Sequence, residues 1–117
     1  MHWRAYEAVN GVIRADLALS APEGGGRRSA IPGAGVLRPM WDIGRRTSAG
    51  EPDLAIARIW VEFASALEPG QQGSVRLAPL TPQRWRHLTP GDLITMHEIA
   101  APIGIAEIIS VPPSAPS

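Results

Sequence analysis

Ala55-Ile56-Ala57-Arg58-Ile59-Trp60-Val61-Glu62-Phe63 is the stretch whose reading decides the fold. Apolar and polar positions alternate: Ala57, Ile59, Val61 and Phe63 share one face, and Arg58 and Glu62 the other. A period of two belongs to a half-buried strand, and the β-branched and aromatic side chains suit a pleated surface. Trp60 falls among the polar positions, so its ring needs a partner on the outer face.

Working outward, the same pattern returns on both sides. Val12 to Leu19 reads as a strand with Ile13, Ala15, Leu17 and Leu19 on one face and Arg14 and Asp16 on the other. Val36 to Ile43 reads as another, interrupted by Pro39 and therefore expected at an edge or bulge. Downstream, Ser74 to Leu80 turns Val75 and Leu77 inward, Leu93 to Glu98 follows, and Ile103 to Val111 is apolar on nearly both faces. Glu68-Pro69-Gly70, Pro90-Gly91 and Ala101-Pro102 mark turns between them. Residues 20–35 and 44–54 read as loops, Thr81 to His87 as a polar excursion, and Arg4 to Val9 as a short helical turn. Six strands without a long helix predict an all-β fold, a small closed antiparallel barrel or a sandwich. The expected organisation is an N-terminal extension over 1–11, a barrel over 12–111 and a disordered proline-rich tail over 112–117. The expected core is Ile13, Leu17, Ile59, Val61, Val75, Leu77 and Ile105.

Composition narrows the chemistry. With 117 residues the chain has room for one domain. Its twelve glycines and twelve prolines are dispersed rather than periodic, as frequent turns require. There is no cysteine, which removes disulfides, thiolate catalysis and cysteine-ligated zinc, and makes a cytoplasmic location the default expectation. No run of about 18 apolar residues occurs and the N-terminus lacks the order of a signal peptide, so no membrane partner is expected. Formal charge is zero, yet residues 1–50 carry seven arginines against four acids, and the remainder four against seven. Lysine is absent, so there is no Schiff-base amine and no phosphate-binding P-loop.

Landmarks outside the strands carry a resemblance. Glu23-Gly24-Gly25-Gly26-Arg27 follows the first strand, Gly35-Val36-Leu37-Arg38-Pro39-Met40-Trp41 leads into the second, Leu67-Glu68-Pro69-Gly70 makes a turn, and Ile103-Gly104-Ile105-Ala106-Glu107-Ile108-Ile109 closes the chain. Their order over about Val12 to Val111 resembles the C-terminal β-barrel domain (domain III) of elongation factor Tu, which has a Glu-Gly-Gly-Arg loop, a Gly-x-Arg-Pro segment, a Pro-Gly turn and a final Val-Gly-x-Gly-Val strand. The resemblance implies a six-stranded antiparallel barrel, here as a free-standing protein, and contacts of the kind that domain makes with tRNA and with other protein. This chain departs from the pattern by an extra glycine in the first loop, by two residues rather than one between Gly35 and Arg38, and by Val36 or Leu37 where the family has an aromatic. The GTPase motif is missing, so no GTP binding is expected.

Candidate sites follow from composition. Arg84-Trp85-Arg86 lies in a proline-bounded loop, where Trp85 is either a partner-binding anchor rimmed by Arg84 and Arg86 or a plug in one barrel end. Arg27 and Arg28 beside the glycines, with Arg38, Arg45 and Arg46, are the candidate RNA-binding face, with Trp41 as a stacking platform. The isolated histidines His2, His87 and His97 lack metal-ligand spacing, so no metal or cofactor is expected. No nucleophile motif or paired carboxylates stand out. The leading expectation is a non-catalytic protein-binding module of accessory or immunity type, acting on a protein partner or as a homo-oligomer. A tRNA or RNA binder is the alternative, and a small-molecule enzyme with Trp41, Trp60 or Trp85 lining the barrel mouth is the second.

Overall fold

A computed structural model describes residues 3–9, 11–98 and 101–112. Helix α1 (Trp3–Val9) leads into strands β1 (Ile13–Leu19), β2 (Ile31–Pro32), β3 (Met40–Asp42), β4 (Ala55–Val61), β5 (Ala66–Leu67), β6 (Gln72–Pro79), β7 (Leu93–Glu98) and β8 (Ala101–Ser110). Six of the strands close a barrel in the order β1-β6-β4-β3-β7-β8, every pair antiparallel. The expected six-stranded antiparallel barrel is therefore the fold. Closure leaves no unpaired sheet edge among these strands. Among the described residues no helix is long and apolar enough to cross a membrane. The proposed tail beyond Pro112 lies outside the described residues.

The core follows the alternation. Ile13, Leu17, Ile59, Val75 and Leu77 are at most 2 % exposed, and Val61 is 8 %. Ile59 lies opposite Leu77, and Ile13 opposite the same residue from the other side, so three strands meet at one layer. Among the described residues no polar or charged side chain is buried.

Two positions expected inside lie outside. Ile105 is 53 % exposed. The register of β7 on β8 passes from Met96–Gly104 to His97–Pro102 and skips Ile103. That bulge buries both Ile103 and Gly104 and reverses the alternation after them. Ala106 and Ile108 then face inward, and Ile105, Glu107 and Ile109 outward. Phe63 is 90 % exposed because β4 stops at Val61 and the chain turns away with Phe63 at φ 64°.

The ribbon β2–β5 was not expected. Two-residue strands carry no readable period, yet Ile31 is fully buried and pairs with Leu67. The segment from Gly33 to Pro39 then runs beside β4: the amides of Val61, Ile59 and Ala57 donate to the carbonyls of Gly33, Leu37 and Pro39, each at 3.2 Å. Pro39 keeps a place there because only its carbonyl is used.

Candidate protein-docking surface

The cover that Trp60 requires is Gly35. Trp60 is 4 % exposed, and a Cβ built on Gly35 would lie 2.3 Å from the indole. Gly35 has φ 77°, and its carbonyl accepts from Arg58 Nη1 at 2.7 Å. Glycine is needed here for both the conformation and the approach. Gly35→Ala is expected to cost about 2–3 kcal/mol from left-handed strain and overpacking. Urea unfolding of the variant measures it, and an unchanged midpoint would mean that Gly35 does not press on the ring.

Beside this cover an open cleft of about 420 Å³ is lined by Trp3, Gly33, Ala34, Trp60, Val61, Glu62 and Phe63. The wall contributed by α1 is fixed by stacking. The Arg76 guanidinium sits 3.7 Å from the Trp3 ring centroid, and Glu7 Oε2 lies 3.7 Å from Arg76 Nη1. A cation over an indole face is attracted by the ring quadrupole. Glu62 anchors the other side. Its side chain is 10 % exposed, with Oε2 3.0 Å from Arg76 Nε and Oε1 3.3 Å from Arg14 Nε. A carboxylate so deeply placed needs opposing charges, and two strands, β1 and β6, supply them. The cleft thus presents three aromatic side chains, and its one acid is ion-paired with Arg14 and Arg76.

Phe63 stands at its rim. A bulky residue with positive φ is a backbone outlier, and such strain persists where the surroundings or a function hold it. Its side chain is almost wholly in water, so folding gains little from it. Phe63→Gly is therefore expected to raise stability by about 0.5–1 kcal/mol, the left-handed strain released less the added chain entropy of glycine. Thermal melts test this; a lowered melting temperature would show that the ring supports the fold.

The residues singled out by sequence are dispersed. Trp85 ends a 3₁₀ turn (Pro82–Trp85) and is 3 % exposed within the main core, so it plugs the barrel end and its ring is not an exposed anchor. Arg84 is turned to internal work: its Nη2 lies 2.8 Å from Asp53 Oδ2 and donates to the Asp53 carbonyl at 3.2 Å. Arg86 is exposed without an ion pair or hydrogen bond among the described residues.

The five arginines do not make one face. Arg27 and Arg28 sit in the loop after β1, at the end where β6 and β8 begin. Arg45 and Arg46 sit beyond β3, at the opposite end where β4 and β7 begin. Arg27 is ion-paired with Glu98 and donates to Ser29 and Ala30. Arg45 Nε donates to the Arg84 carbonyl at 2.9 Å, and Arg46 Nη1 to Asp42 Oδ1 at 2.9 Å. Burial works against the charge on Asp42. The Gly44 amide, Arg46 and His97 together outweigh it and hold the carboxyl below its ordinary range. Only Arg28 and Arg38 remain exposed and unpaired among the five. Trp41 is fully buried and stacks on nothing from solvent. With Trp41 and Trp85 in the core, no barrel mouth is lined by them, and Trp60 faces the outer cleft instead.

Sequence reasoning missed Trp3, Glu62 and Phe63 as a site. One signal was present: a tryptophan at a polar position of the strongest strand. No group of three or more potential metal ligands occurs among the described residues. The chain matches no protein-family model and no curated protein.

Proposed function

We propose that this protein is a non-catalytic protein-binding module, a barrel of the type found at the C-terminus of elongation factor Tu, which engages its partner through the Trp3–Trp60–Phe63 cleft. A cytoplasmic setting is part of the same proposal. The observation that carries it is Phe63: a strained backbone holds an aromatic ring in water at the rim of an aromatic cleft. A large exposed ring is the anchor that protein interfaces favour. The elongation-factor likeness is supported by the ordered set of loop motifs and by their compatibility with a closed six-stranded barrel.

The arginine-face reading has less support, since Arg27 and Arg28 lie at one barrel end, Arg45 and Arg46 at the other, and three of the five candidates are engaged internally. The test is quantitative affinity capture with the full chain as bait, comparing wild type, Phe63→Gly and Arg86→Ala. Partners retained by wild type and Arg86→Ala but lost by Phe63→Gly support the cleft. Equal recovery by all three baits rejects it.

A further inference from the structure

We propose that the outer face of β7 and β8 is a second docking surface, which receives a basic side chain projecting from an apolar region of a different protein chain. This inference is independent of the cleft.

The bulge at Ile103 sets the face. After it, β8 turns Ile105, Glu107 and Ile109 outward. Leu93 of β7 lies directly opposite Glu107. Leu93 is 67 % exposed, Ile105 53 % and Ile109 48 %, so three large aliphatic side chains flank one carboxylate. On the other flank β1 places Asp16 opposite Glu107. Neither acid has an ion pair among the described residues; Asp16 accepts only a hydrogen bond from Gln72 Nε2, at 2.7 Å. Like charges directly opposed across neighbouring strands are unfavourable, and among the described residues only the Gln72 amide bonds to either of them.

Both features are satisfied by one occupant. A cation set among apolar groups offsets the like charges of Asp16 and Glu107 while the flanking aliphatic side chains exclude water on the other sides, as in the centre of an interface. A second copy is a poor occupant. Pairing this face with itself across a two-fold axis near Glu107, the centre of the patch, brings the same acids together. The complementary partner is therefore a different chain bearing arginine or lysine within an apolar patch.

The test uses the full chain and two synthetic peptides, one with an arginine between leucines and its twin with glutamate in that place, titrated by heteronuclear NMR. The arginine peptide is expected to bind about tenfold or more tighter than its twin and to shift amides of β1, β7 and β8. The double variant Asp16→Asn/Glu107→Gln is expected to erase that preference. Leu93→Ser is expected to weaken both peptides. Equal affinity of the twins, shifts elsewhere, a preference that survives the double variant, or no binding of either peptide overturns the proposal. So does a wild-type dimer in sedimentation equilibrium that Leu93→Ser dissociates, since the occupant is then a second copy.

Discussion

Trp85→Ala loses about 3–5 kcal/mol of stability and leaves association with partners unchanged. The indole is 3 % exposed, and its 3₁₀ turn closes the end of the barrel where β4 and β7 begin. Around it the loop is tied down. Arg84 bonds to Asp53 and to the Leu54 carbonyl, Arg45 donates to the Arg84 carbonyl, and His87 Nε2 donates to the Ile43 carbonyl at 2.6 Å. Those contacts fix the backbone, so it cannot collapse into the space left by the ring, and a cavity remains. The indole Nε1–H has no hydrogen-bond partner among the described residues. Trp85→Phe therefore removes a donor that gains nothing from its position, and is expected to cost clearly less than the alanine change. Denaturant unfolding of the three proteins measures the ranking. An alanine variant as stable as wild type would place the ring outside the core.

Ile59→Asp unfolds the protein. Ile59 is fully buried at the middle of β4, between β6 on one side and the segment from Gly33 to Pro39 on the other. With no charged residue buried among the described positions, the new carboxylate meets no cation there. An unpaired charge in such a place costs several kcal/mol, added to the loss of the isoleucine, against a total stability of about 5–15 kcal/mol for a domain. The expected result is loss of the β-type circular-dichroism signal and of NMR shift dispersion at neutral pH. A variant that keeps both, with a cooperative melt, would contradict the assigned core.

The strands were legible because burial on one side writes itself into the sequence at a period of two. Ile13, Leu17, Ile59 and Val75 could be placed by counting. Ile105 could not, since apolar residues occupy both faces of β8 and the bulge that chooses between them lies in the pairing with β7. Phe63 continued the alternation on paper, and only the end of the ladder at Val61 turned it outward. Ile31 and Leu67 sit in strands too short for any period. The site was less legible still. Trp3, Trp60 and Phe63 are joined by the docking of α1 and by the path of the Gly33–Gly35 segment, which are tertiary facts. Trp85 between two arginines resembled an interface anchor, but the arginines serve the loop and the ring serves the core. The arginines of the first half of the chain suggested a basic face by proximity in sequence, and the barrel places Arg27 and Arg28 at one end and Arg45 and Arg46 at the other.

Hydroxyl-radical footprinting of the purified protein, alone and in the complex captured through it, tests the cleft most directly. Free Phe63 should oxidise readily, as befits a ring 90 % exposed, whereas Trp41 and Trp85 stay protected in both states. In the complex, Phe63 and Trp3 should become protected by severalfold, with the rest of the pattern little changed. Equal oxidation of Phe63 in the free and bound protein would contradict a partner seated in the cleft.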